Sequence, residues 1–176
     1  MQNTASLKVA TPTDREIVLT RVFDAPRGLV FDGLTKPELL RRWMLGPPGW
    51  SMVVCEIDLK VGGKYRYVWR NGDGTEMGMH GVYREIVRPE RVVNTQTFDF
   101  GCDAQSGEAV GTAVLTERDG RTTLTTTVLY PSKEARDSTL ASGMERGVAA
   151  SYDRLAELLA TGAPRRDAGG DPRPGE

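Results

Sequence analysis

Three residue types in this chain could move protons or attack an electrophile: the single histidine, His80, the carboxylate of Glu85, and the thiols of Cys55 and Cys102. A catalytic histidine needs a partner that orients it and a nucleophile within reach. In EMGMHGVYREIV, the alternation that turns Met79 and Tyr83 toward a core points His80 the other way. Glu85, beside Tyr83, would act as a base only if buried; an ion pair with an arginine such as Arg91 is the commoner fate of a carboxylate so placed. Cys55 has no activating cation near it in sequence, and the two cysteines have neither CxxC spacing nor company for a metal or disulfide framework, so they read as free thiols. HExxH, a phosphate-binding loop and a GxGxxG turn after a strand are all missing. No catalytic residue, metal ligand or cofactor is assigned.

Recognition chemistry is better represented. In GKYRYVWR the alternation sets Tyr65, Tyr67 and Trp69 on one face and Lys64, Arg66 and Arg70 on the other, which makes an aromatic wall. Met79 and Tyr83 are expected on the same inner surface, with Gly81 leaving space between them. For VVNTQTF the pattern leaves both parities open, Thr95/Thr97 or Asn94/Gln96 inward. Two phenols on a buried face need polar partners.

The element that must cover this wall is SGMERGVAASYDRLAELLA, residues 142–160. At about 100° per residue its apolar positions share one face. Ser142 and Glu145 have capping-box spacing, and Gly162 and Pro164 supply a stop. The face is uneven. Leu155, Leu158 and Leu159 fill space, whereas Gly147 and Ser151 leave room beside Met144, Val148 and Tyr152. A pocket of about 300 Å³ left empty would cost on the order of 7 kcal/mol, so it must hold water or a ligand, or close. The expected lining is Tyr65, Tyr67, Trp69, Met79, Tyr83, Met144, Gly147, Val148, Ser151 and Tyr152, with Trp43 and Trp50 near an entrance.

The remaining elements follow from period and punctuation. EIVLTRVF, residues 16–23, reads as the first strand; Asp24 and Pro26 open one short helix and Pro37 a second. From Ser51 the period is two, broken by turns at Gly62-Gly63, Asn71–Gly74 and Asp119-Gly120, which gives six more strands in antiparallel hairpins. Ser132 begins a helical lead-in, with a break expected near Gly143. A length of 176 residues fits one domain, 15–161, between polar tails at 1–14 and 162–176 that are expected to be flexible. A net charge of −1 with scattered basic residues argues against nucleic acid as a partner. The absence of a leader-like run and of a long apolar segment leads to the expectation of a cytoplasmic protein without a membrane span.

Taken together, LTRVFDAPRGLVFDGLTKPELLRRWM, VCEIDLKVGGKYRYVWR, GVYREIVRPERVV and YPSKEARDSTLASGMERGVAASYDRLAELLA resemble the AHSA1-like branch (activator of Hsp90 ATPase homologue) of the SRPBCC/START-related, Bet v 1-like superfamily. The resemblance spans 15–160. It implies an α+β helix-grip fold, a seven-stranded antiparallel sheet curled around a long C-terminal helix, and a hydrophobic cavity between them. Roles in the superfamily include binding of lipids or metabolites, polyketide cyclisation and stress response. Gly147, Val148 and Ser151 are smaller than the bulky residue often found on this helix in relatives, and no fixed catalytic motif transfers. Three readings follow: binding of a small hydrophobic or aromatic molecule, a lipid or polyketide-like metabolite; a cyclase- or hydrolase-type enzyme using Glu85 or His80; and a stress-response module that works with an Hsp90-type chaperone through an exposed apolar patch. A homodimer is compatible with each.

Overall fold

Alternation and 3.6-residue periodicity account for most regular elements of the computed structural model, which describes residues 6–100 and 107–161 and holds eight strands and four helices among them. The strands are β1 (Lys8–Ala10), β2 (Glu16–Phe23), β3 (Ser51–Ile57), β4 (Lys64–Arg70), β5 (Glu76–Val87), β6 (Arg91–Phe100), β7 (Ala109–Arg118) and β8 (Arg121–Leu129). The helices are α1 (Arg27–Thr35), α2 (Pro37–Trp43), α3 (Lys133–Ala141) and α4 (Met144–Thr161). The strands form one antiparallel sheet in the order β1-β2-β8-β7-β6-β5-β4-β3. This is the helix-grip arrangement, with eight strands among the described residues instead of seven. The additional one, β1, pairs Val9 with Leu19 and lies within the segment read as a tail. Residues 162–176, the other expected tail, and Cys102 fall outside the described residues.

The two prolines start the short helices in different ways. Pro37 is the first residue of α2, where its missing N–H costs nothing. Pro26, however, occupies the cap of α1 itself, with no side-chain cap, and Asp24 lies instead 3.7 Å from Arg121. At the other end of the chain, the Ser132 hydroxyl accepts from Ala135 N at 3.1 Å and caps α3. The capping box expected at Ser142 and Glu145 does not form. Ser142 stays in the last turn of α3, donating to Thr139 O at 2.6 Å, and Gly143 turns the chain at φ +81° before α4 begins. Glycine enters this left-handed region without the Cβ clash that other residues suffer, so the break sits where it was expected, one residue later than the cap.

Two apolar clusters lie between sheet and helices. The larger gathers Phe23, Phe31, Trp43, the β4 aromatics, Tyr152, Leu155 and Leu158; the smaller gathers Ile17, Leu19, Val128, Tyr130 and Ala135 beneath α3. Val148 packs against both. Leu155 is fully buried where Gly33 lets α1 approach α4: a Cβ at Gly33 would come within 2.9 Å of Leu155 Cδ1. Leu158 is buried and Leu159 partly so, which gives the C-terminal half of α4 its packing role.

Candidate functional site

Alternation along β4 turns Tyr65, Tyr67 and Trp69 to the concave side, where all three are buried. The β4–β5 register sets Tyr65 opposite Gly81, Tyr67 opposite Met79 and Trp69 opposite Met77. The space that Gly81 leaves is taken by Tyr65. A Cβ on Gly81 would sit 2.7 Å from the Tyr65 ring and 1.8 Å from Thr95 O, the carbonyl to which the Tyr65 hydroxyl donates. Gly81 therefore seats a phenol, not a void. Tyr65 packs on Tyr67 and Tyr83 with ring centroids 5.1 and 5.4 Å apart, and Tyr67 meets Trp69 edge-on at 5.9 Å.

The tryptophans are anchored by their N–H groups. Trp69 Nε1 donates to Met44 O and Trp43 Nε1 to Gly33 O, each at 2.8 Å. Trp43 is a core residue with 1% exposure, tilted against Tyr152 at 6.0 Å, and does not stand at an entrance. Trp50 is partly buried, and its Cβ lies 3.3 Å from where a Cβ on Gly46 would be; the same position is 3.4 Å from Trp69. The 44–50 loop is thus closed over the outer end of the wall.

Burial holds the whole wall neutral. It pushes the Tyr83 phenol up to about 12, against a hydrogen bond with Tyr67 that pulls it down. Burial first, then the neighbouring phenols and Cys55, raise Tyr67 well above the ordinary range, and burial with Tyr83 does the same to Tyr65. Tyr152 is raised by burial and drawn back by a hydrogen bond with Thr126 and by Arg21. Cys55, a buried free thiol opposite Tyr67, is also raised by burial, with Arg41 opposing and Glu38 adding. At neutral pH these groups offer hydrogen bonds and polarizable surface and no charge.

The structure also decides the parity of β6. Met79 faces Phe98, and Tyr83 faces Asn94, with register shifts between Gly78 and Met79 and between Tyr83 and Glu85. Val92, Asn94, Gln96 and Phe98 therefore line the concave side, and Asn94 and Gln96 face Gly111 and Ala109 of β7. Gln96 Nε2 donates to Asn94 Oδ1 at 3.3 Å. A Cβ on Gly111 would come within 2.3 Å of that Gln96 nitrogen, so this glycine makes the seat for the amide pair. Asn94, Gln96 and Thr126 are candidate contact residues that the sequence pattern left unassigned. Counting back from the β5–β6 turn, where Val87 O accepts from Glu90 N at 2.7 Å, would set Tyr83 against Thr95; the register shift between Tyr83 and Glu85 brings Asn94 there instead, so no local signal in the sequence identifies the two amides.

On α4, Ser151 and Tyr152 are buried, and Met144, Gly147 and Val148 are half-buried. Tyr152 stands edge-on to Phe23 at 5.7 Å. Gly147 has open space before it: a Cβ there would meet no atom within 4 Å. Of the expected lining residues, the structure brings Tyr65, Tyr67, Trp69, Met79, Tyr83, Val148 and Tyr152 into the larger cluster with Trp43 and Trp50, while Met144 packs on the smaller one. Two shallow depressions, open to solvent, lie elsewhere on the surface. One of about 480 Å³ is lined by Thr13, Asp14, Arg15, Glu16 and Leu129, and one of about 360 Å³ by Arg42, Arg154, Glu157 and Leu158.

His80 and Glu85, the two residues considered for acid–base catalysis, are turned away from this space. His80 Nδ1 pairs with Asp99 Oδ1 at 2.5 Å with the imidazole half exposed. Glu85 pairs with Arg91 at 3.2 Å, both about half exposed. The enzyme reading thereby loses the two groups it relied on. Among the described residues there is no group of three or more His, Cys, Asp or Glu arranged for a metal ion, and no helix long and apolar enough to cross a membrane.

Other proteins share this architecture. No curated protein matches the chain. Among solved structures, a Rhodobacter sphaeroides protein is 28% identical with a TM-score of 0.81, over 88% of this chain and 98% of that one. A Mycobacterium smegmatis protein, Ms6760, is 24% identical with a TM-score of 0.77, over 88% and 97%. The AHSA1 protein of Silicibacter pomeroyi is 22% identical with a TM-score of 0.64, over 82% and 97%; the last two likenesses speak to the fold. The sequence model of the family "Activator of Hsp90 ATPase homolog 1-like protein" matches residues 24–160, most of the chain. The chain belongs to that family.

Proposed function

We propose that the chain binds a small apolar or aromatic molecule between the N-terminal half of α4 and the concave faces of β4 to β6, and holds it without turning it over. One observation carries this reading: side chains that face the helix remain partly open. Met79, Asn94, Gln96 and Thr126 on the inner strands, and Gly147 and Val148 on α4, are only half-buried, and Gly147 faces free space. In a closed core such inward positions would be fully covered. The mixture suits an apolar body with a polar end. Met79 and the rings of Tyr67 and Tyr83 supply polarizable contact, while the Asn94 and Gln96 amides offer both donors and acceptors. Neutral phenols and the outward His80 and Glu85 favour holding a molecule over transforming it.

Native mass spectrometry of the purified chain, followed by titration of the identified molecule against tryptophan fluorescence, tests the proposal. Trp50 and Trp69 border the space, so a quench or blue shift that saturates at one molecule per chain is the expected result. Binding at 100 times the dissociation constant should add about 2.7 kcal/mol to stability. Gly147→Leu, which fills the open space, should remove the response without lowering the melting temperature. If Gly147→Leu leaves binding intact, the molecule lies elsewhere and the reading fails.

A further inference from the structure

We infer that the ligand of this site is a carboxylic acid, a monoanion with an apolar body, and that its carboxylate is held by Arg154 and Arg42 at the open edge of α4. The inference rests on the binding reading above and names the ligand class it would take. Gly147, Ser151, Arg154 and Leu158 follow one another at spacings of four, three and four, so they form a single stripe along one edge of the helix. The stripe runs from the free space at Gly147 to the concavity of about 360 Å³ that Arg154 and Leu158 share with Arg42 of α2 and with Glu157.

Arg154 carries the argument. Its Nη1 is buried from solvent and makes no hydrogen bond within the structure, whereas guanidinium nitrogens removed from water ordinarily have an acceptor. The part of the Arg154 guanidinium that borders the concavity matches the fork of a planar carboxylate, and a rotation of the side chain toward a bound acid would bring Nη1 to the acceptor it lacks. Arg42, exposed in the last turn of α2, borders the same concavity and brings a second guanidinium. Glu157 limits the charge. Two guanidiniums against one carboxylate leave a formal charge of +1, which suits a monoanion better than a phosphate dianion. Leu158 gives the chain of the acid an apolar surface as it leaves the carboxylate.

Two matched pairs of probes test the assignment by tryptophan fluorescence: decanoate with 1-decanol, and 2-naphthoate with 2-naphthalenemethanol. At least one acid should bind about tenfold more tightly than its alcohol, the expected size for a charge-assisted hydrogen bond. Arg154→Gln should abolish that preference by weakening the acid about tenfold, and Arg42→Gln should weaken the same preference. Circular dichroism on both variants reports whether they fold; should Arg154→Gln fail to, the same preference is read in Arg42→Gln and in the salt dependence of acid binding. Equal affinity for acid and alcohol, or a preference that survives both substitutions, overturns the carboxylate assignment and leaves the binding reading standing. An arginine-dependent preference for decyl phosphate over decanoate overturns it in favour of a phosphate. No binding by either pair overturns the carboxylate assignment and counts against the site itself.

Discussion

One substitution, glycine to alanine, should have opposite signs at two positions that flank the proposed site. Gly147 and Gly81 both lie outside the left-handed region, so backbone conformation does not forbid a side chain at either. At Gly147 the new methyl meets nothing within 4 Å, and the change removes a flexible residue from α4. The gain is about 0.5–1 kcal/mol, or about 1–4 °C in melting temperature. At Gly81 the methyl would lie 1.8 Å from Thr95 O and 2.7 Å from the Tyr65 hydroxyl and ring edge. Relief requires parting β5 from β6 and dislodging a buried tyrosine from its carbonyl. Overpacking of about 1–3 kcal/mol and a lost buried hydrogen bond of about 1–3 kcal/mol give about 2–6 kcal/mol, a large share of a domain's stability. Urea denaturation of the two variants, compared at equal m-value, reads both effects as shifts of the midpoint. A midpoint unchanged in Gly81→Ala would mean that Tyr65 does not rest on that glycine. A midpoint lowered in Gly147→Ala would mean that the helix face there is packed, and the space proposed for a ligand would not exist.

Other expectations concern single contacts. Trp69→Phe removes the N–H that anchors Met44 O and should cost about 1–3 kcal/mol, measured by the same denaturation. Asp153→Asn uncouples the Arg21 guanidinium, 2.8 Å away and buried, but Asp153 itself is 65% exposed and water can replace it. The expected loss is therefore about 1 kcal/mol, seen as a midpoint shift that shrinks at high salt. Tyr83, raised from 10.0 to about 12, binds its proton more tightly folded than unfolded. Its contribution to stability is thus complete below pH 10 and is lost as pH climbs from there toward 12. Absorbance titration at alkaline pH should show Tyr83→Phe removing a late-ionising phenol.

Much of this architecture is written in period and punctuation. Glu16–Phe23, the hairpins after Ser51, the proline-started α2 and the break at Gly143 follow from alternation, turn residues and backbone freedom, all of which are local. What was not legible has identifiable causes. β1 is only three residues long with one half-buried side chain, too short for a period to register. In β6 both alternating sets are polar, so hydrophobicity could not choose between Asn94/Gln96 and Thr95/Thr97; the choice is made by pairing with β5 and its register shifts. The aromatic wall of Tyr65, Tyr67 and Trp69 was readable because one of its faces is apolar and the other charged. That Gly81 would seat the Tyr65 ring could not be read, because it depends on which residue faces it across the sheet.

The pairing of β2 with β8 carries a consequence for biosynthesis. Glu16 finds its partner in Leu129, more than a hundred residues later, and β2 is otherwise flanked only by the short β1. At about 5–20 residues per second, a ribosome needs roughly 6–23 s between making the first of these strands and making the last. During that interval Ile17, Leu19 and Phe23, all destined for full or nearly full burial, have no sheet to join. The β3–β6 hairpins can form in the meantime, whereas the N-terminal strand must wait for the end of the sheet.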